Sequence, residues 1–158
     1  MEVIYYRPAK TTDAAAISKL ILDTQSQFSV ENFSPEGERL LAKVCSAEAI
    51  EGYLESGYIY FVAEDEATIV GVIGVRDRCH IEHNFVRGDY HRQGISSQLW
   101  RLAKESCLQQ GNKGEFELRA STFAIPIYER WGFVKEGEKQ SIGGIIFTPM
   151  RLKLGSLD

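Results

Sequence analysis

The chain has 158 residues, 44% of them hydrophobic and 25% charged, an ordinary globular balance over a length that can bury one core without staples. Its net charge of −4, with Glu and Asp spread along the sequence, leaves no basic footprint for nucleic acid. No apolar run approaches the ~18 residues of a membrane span, and MEVIYYRPAK lacks a charged leader ahead of an apolar core, so neither a membrane partner nor a signal peptide is expected.

Residues 3 to 7 (VIYYR) are β-prone and stop at Pro8, which predicts a first strand. Thr12 or Asp13 can cap a helix whose apolar face is Ile17, Leu20, Ile21, Thr24 and Phe28. Ser29 to Gly37 reads as a loop. Two short helices follow, one with Leu40, Leu41 and Val44, the next with Ile50, Tyr53 and Leu54 before Gly57. YIYFVAE, TIVGVIGVR and CHIEHNFV then form three strands at hairpin spacing, an antiparallel meander. Gly94 opens a helix with Ile95, Leu99, Leu102, Ala103 and Ser106 on one face, ending at Gly111. Phe116, Leu118 and Ala120 alternate with charged residues, a strand reached through one helix and so expected to run parallel to the strand before Gly94. A short helix over 124–131 tolerates Pro126 in its first turn, and 133–138 and 145–152 form a final strand pair around Gly143-Gly144. There is no repeat, low-complexity tract or linker, so the expectation is one α/β domain over 1–158. Cys45, Cys79 and Cys107 are odd in number and too dispersed for a CxxC pair, which fits reduced thiols and a cytoplasmic location.

The segment NFVRGDYHRQGISSQLWRL puts a strand, a short loop and an amphipathic helix in succession. Backbone N–H groups at such a helix start, with the positive end of the macrodipole, suit phosphate oxygens. Gly94 lets the backbone approach a ligand, and Arg92 adds a charge. The bland alternative is an ordinary strand–turn–helix junction in which Gly94 is punctuation.

FVRGDYHRQGIS resembles motif A of the GCN5-related N-acetyltransferases (the GNAT superfamily), whose core is Gln/Arg-x-x-Gly-x-Gly/Ala after a strand ending in Val. ASTFAIPIYERWGF is similar to the family's second signature, a Ser or Asn followed by an Ala-x-Pro-x-Tyr-Glu helix closing on Gly-Phe. One strand separates the two, and the element order fits over nearly the whole chain. His91 stands where the family usually has Gln or Arg, and Ser96 where it has its second small residue.

The resemblance implies a GNAT-like mixed, mostly antiparallel central sheet flanked by helices, with two splayed parallel strands forming the cofactor cleft. It implies acetyl-coenzyme A as acetyl donor and transfer to a primary amine of a small molecule or peptide by direct attack in a ternary complex. The implied cofactor residues are Phe85 and Val86 on the strand edge, His91, Arg92, Gln93, Gly94, Ile95, Ser96 and Ser97 in the loop, and Ser121. An exposed strand edge can pair with the amides of a pantetheine arm, and the opening between parallel strands is a usual ligand site.

Tyr128 matches the family's helix tyrosine, and a phenol of pKa about 10 can protonate a thiolate whose conjugate acid lies near 8.5. Its plainer role would be an aromatic core contact. Glu82, on the strand leading into the loop, is the candidate base for the acceptor ammonium, with His83 as competitor; a one-residue slip would point Glu82 away. His80, His83 and His91 lack a further ligand at a recognised spacing, so no metal is expected. Trp100, Trp131 and Phe133 read as core. A non-catalytic acyl-coenzyme A binding or sensing domain would keep the loop but need neither Tyr128 nor a base. A mononucleotide-binding protein is disfavoured, because the lysine of a GxxxxGK[ST] loop is missing. The acceptor side, from Gln25 to Leu54, mixes Phe28, Phe33, Glu31, Glu36 and Glu38 and suits a small cationic amine, a peptide N-terminus or a lysine alike. A homodimer is left open.

Overall fold

The computed structural model describes residues 3–28 and 33–155. Strand β1 (Tyr5–Pro8) leads through a 3-10 turn into helix α1 (Ala14–Phe28), followed by α2 (Pro35–Val44) and α3 (Ala47–Glu55). Strands β2 (Ile59–Asp65), β3 (Thr68–Arg76) and β4 (His80–Val86) form the expected meander. Helix α4 (Ile95–Gln109), strand β5 (Glu115–Ala120), helix α5 (Ile125–Arg130) and strands β6 (Val134–Lys135), β7 (Gln140–Ile142) and β8 (Ile145–Lys153) complete the chain. The sheet order is β1-β2-β3-β4-β5-β8-β6, with β7 on β8. Every pairing is antiparallel except β4 with β5. Among the described residues no helix is long and apolar enough to cross a membrane.

The sheet is covered on both faces. Ile17 and Ile21 of α1 and Ile50 of α3 pack on Tyr60, Val62 and Val72, while Leu99, Trp100 and Ala103 of α4 pack with Val75, Phe116 and Met150 on the other side. This is why β3, the central strand, reads as a near-continuous apolar run: six successive residues from Val70 to Val75 are buried. Each fully buried aliphatic or aromatic side chain contributes roughly 1.5–3 kcal/mol, so these two faces hold the helices in place.

Several local expectations change. The first strand begins at Tyr5 and includes Pro8, and Asp13 caps through its carboxylate, which accepts the Lys10 N–H at 2.7 Å, ahead of α1. Residues 29–32 of the expected Ser29–Gly37 loop lie outside the described residues. Pro35 to Gly37 are helical, because Ser34 accepts the Gly37 N–H at 3.0 Å and Pro35 suits the first turn. On α4 the buried face includes Trp100 and Cys107, whereas Leu102 and Ser106 are half-exposed; the bulky indole rotates the apolar stripe toward Phe116. The strand that meets β8 across Gly143-Gly144 is β7, not the 133–138 segment, of which only Val134 and Lys135 pair, at the far end of β8.

Two features of β4 shape the site. Its parallel pairing with β5 covers only His80↔Glu117 and Ile81↔Leu118, so beyond Ile81 the two strands part. Its pairing with β3 shifts between Val75↔Ile81 and Gly74↔His83, which leaves Glu82 as an extra, unopposed residue, a β-bulge.

Candidate active site

The opening between β4 and β5 holds two adjoining cavities. The larger, about 650 Å3, is lined by Phe85 and Val86 of β4, by His91, Arg92, Gly94, Ile95, Ser96 and Ser97 at the start of α4, and by Ser121 after β5. Gln93 is exposed and is the loop residue that does not line it. Arg92 and Gly94 both take positive φ, +65° and +78°, a backbone path that curls successive N–H groups toward one concavity. The first bond entering the helix runs from the Gln98 N–H to the Gly94 carbonyl at 3.0 Å, so the N–H groups of Ile95, Ser96 and Ser97 precede the helical ladder. A Cβ built on Gly94 would meet nothing within 4 Å, because the space in front of it is open.

His91 has a structural partner that its motif position did not suggest. Its Nε2 lies 2.6 Å from the Val86 carbonyl, and its ring packs on Phe28 at 4.7 Å and on Phe123 at 6.3 Å. The loop is thereby tied to the end of β4, and two aromatic rings wall the cleft beside it.

The smaller cavity, about 350 Å3, lies on the other side of Asn84, Phe85, Ser121 and Ala124, which line both. The bulge puts Glu82 and His83 on the same side of β4, and both line this second cavity. Glu82 Oε2 is buried and makes no hydrogen bond, although His80 Nε2 stands 3.4 Å away and Arg76 Nη1 3.7 Å away. His83 is fully engaged. Its Nδ1 meets the Tyr60 hydroxyl at 2.8 Å and its Nε2 meets Cys45 Sγ at 3.7 Å. Burial pushes the Cys45 thiol up to about 12, so it stays protonated beside the imidazole.

Burial also pushes His83 down to about 4 from 6.5, so the folded chain keeps it neutral at neutral pH. The unfolded chain binds a proton below about 6.5 that the folded chain refuses until about 4. His83 therefore supports stability fully above 6.5, and that support disappears as pH falls through the window down to 4, a loss of about 3 kcal/mol. Urea midpoints measured across this window should fall steeply for the parent and less steeply for His83→Gln. Parallel slopes would assign the acid sensitivity to other groups.

Tyr128 of α5 is buried, with its ring edge-on to Trp131 at 5.3 Å and to Phe133 at 5.8 Å. Its hydroxyl is not a bare core contact. Asn84 Nδ2 donates to it at 3.2 Å, and Ser96 Oγ donates to Asn84 Oδ1 at 3.1 Å. Ser96 thus sets which way the Asn84 amide faces, and Asn84, by donating to the phenol oxygen, leaves the phenol proton available to the cavity it lines. Burial raises Tyr128 to about 12, against a smaller lowering from the Asn84 hydrogen bond.

Apart from Gln93, the expected residues therefore line one opening, with Glu82 and Tyr128 in one cavity and the other loop residues in the second. Asn84 was missed. Its signal was its spacing: two residues before core-facing Val86, a strand position should be apolar, and a polar residue there asks for a partner. Phe123 and Arg130, which also line the cleft, carry no comparable signal.

Comparison with known proteins agrees with this architecture. Residues 29–154 match the family described as acetyltransferase (GNAT) domain. Human N-acetyltransferase 8 is 30% identical over 105 residues, a match spanning 58% of this chain and 46% of that protein, so the chain reaches just under half the length of this curated relative. Among solved structures, a GCN5-related N-acetyltransferase from Rhodopseudomonas palustris superimposes with TM-score 0.81 at 22% identity, covering 98% of each chain. The PaiA N-acetyltransferase from Thermoplasma acidophilum, solved with coenzyme A, gives TM-score 0.74 at 16% identity over 96% of this chain and 99% of that one. YncA from Salmonella typhimurium, solved with acetyl-CoA, gives 0.71 at 17% over 99% and 96%.

Proposed function

Since the chain belongs to the GNAT acetyltransferase family, we propose that it transfers an acetyl group from acetyl-coenzyme A to a primary amine by direct attack in a ternary complex. The observation that supports this most is the meeting of two cavities at Gln25, Asn84, Phe85, Ser121 and Ala124, one beside an N–H-rich helix start and the other beside a carboxylate whose Oε2 makes no hydrogen bond. The residues present fit coenzyme A: the loop from Arg92 to Ser97 would hold the pyrophosphate, and the β4 edge at Phe85 and Val86 would face the pantetheine amides.

Glu82 would take a proton from the acceptor ammonium, freeing the nitrogen lone pair. A C–N bond forms at the acetyl carbonyl, the nitrogen gives its surplus proton to water, the C–S bond breaks, and the Tyr128 hydroxyl gives its proton to the leaving sulfur. The products are the amide and the free thiol, and the proton on Glu82 passes to solvent as Tyr128 is reprotonated. The choice of Glu82 over His83 follows from occupancy: both nitrogens of His83 have partners, whereas Glu82 Oε2 makes no hydrogen bond. A domain that only binds acyl-coenzyme A would need no second cavity with such a carboxylate. Thiol release from acetyl-coenzyme A across an amine panel tests the reading. Coenzyme A binding without amine-dependent release would return the protein to the binding-only class.

Gly94→Val tests the phosphate loop. A β-branched residue at φ +78° costs about 1–2 kcal/mol of stability, and its side chain enters the open space before the N–H groups. Coenzyme A affinity should fall by more than about tenfold, while Gly94→Asn, which tolerates this φ, should keep the parent's melting temperature. A folded Val variant with parental affinity would reduce Gly94 to a turn residue.

A further inference from the structure

The geometry points to an acceptor of one kind, a primary amine with a single positive charge on an apolar body; this inference rests on the acetyltransferase reading. The acidic residues of α2 suit a cationic acceptor by composition, but Glu36 and Glu38 face solvent. The helix turns Leu40, Leu41 and Val44 toward the smaller cavity. The opposite wall is the β7–β8 hairpin, which contributes Ile142, Ile145 and Ile146. These two walls, about a hundred residues apart in sequence, are pressed together where a Cβ on Gly37 would stand 2.2 Å from the Gly144 carbonyl oxygen. Ile142 remains 51% exposed, an apolar side chain at the mouth with little of its own chain to cover it.

Charge restricts the occupant further. Glu82 is the one acid among the described residues lining this cavity, and its buried Oε2 makes no hydrogen bond, with His80 Nε2 at 3.4 Å and Arg76 Nη1 at 3.7 Å as its ionic neighbours. Arg76 and Arg119 line the same space, Arg119 lying over the Phe147 ring at 4.8 Å. One ammonium therefore has a partner, whereas a second would be left against aliphatic walls or near a guanidinium. A peptide would bring backbone amides to walls with few groups to receive them. The volume of about 350 Å3 suits a small alkyl or aryl amine.

The test is a homologous series of straight-chain alkylamines, phenethylamine, spermidine and a short lysine peptide, each measured as kcat/KM by thiol release from acetyl-coenzyme A. Each added CH2 that finds a place in the cavity should raise kcat/KM by about fourfold. Spermidine and the peptide should fall at least about tenfold below the best alkylamine. Ile142→Asp, at an exposed position, should keep the melting temperature and coenzyme A affinity while lowering the alkylamine rates and raising that of spermidine. A flat chain-length series, or a preference for spermidine or the peptide, would overturn the inference while leaving the transferase reading intact. Binding of acetyl-coenzyme A with no amine acetylated would instead remove the transferase reading, and the inference with it.

Discussion

Tyr128→Phe should lower kcat by about 10²–10⁴-fold with little change in coenzyme A affinity. Phenylalanine keeps the ring against Trp131 and Phe133 and removes only the proton donor. In the proposed mechanism the hydroxyl acts where negative charge develops on the departing sulfur, so its loss belongs in kcat rather than in ground-state binding. The variant also leaves Asn84 Nδ2 without its acceptor, which costs about 1–3 kcal/mol of stability and shows as a lower melting temperature. Because Tyr128 is raised to about 12, the phenol stays protonated at pH 10, where an ordinary tyrosine is half ionised. The parent's kcat should therefore rise with pH to a plateau and show no descending limb by pH 10. A Phe variant that keeps most of its turnover would make Tyr128 structural and leave the thiolate to solvent.

Glu82→Gln should reduce kcat/KM near neutral pH by about 10²-fold, and the loss should shrink as pH rises toward the pKa of the acceptor amine. Glutamine preserves the shape of the bulged residue but cannot receive a proton, so only amine already neutral in solution can react. The rising limb of the pH–rate profile then moves to higher pH. Folding should change little, since neither His80 Nε2 at 3.4 Å nor Arg76 Nη1 at 3.7 Å makes a hydrogen bond to Glu82 Oε2. An unmoved profile would exclude the carboxylate from proton removal.

Local rules acting within one segment made much of this protein legible from its sequence. The succession of elements, the helix opening at Gly94, the parallel relation of β4 to β5 and the short helix presenting Tyr128 all follow from periodicity, turn chemistry and the handedness of crossovers. Both motifs lie in such segments, which is why the family and the opening between β4 and β5 were readable. Glu82 could be named as a candidate base, but whether it faced the site depended on register. That was decided by the bulge, a property of β3 and β4 together, since the extra residue has no signature in either strand alone. Asn84 joins Ser96 to Tyr128 only because α4 and α5 are brought to the same face of β4. His91 reads in its motif as a ligand contact, and the fold adds the Val86 carbonyl as its partner. The character of the smaller cavity was the least accessible from sequence. Its walls come from α2 and the β7–β8 hairpin, and helix rotation turned Leu40 and Leu41 inward and Glu36 and Glu38 outward. Composition states which residues are present in a segment; only packing against a distant partner decides which of them a ligand would meet.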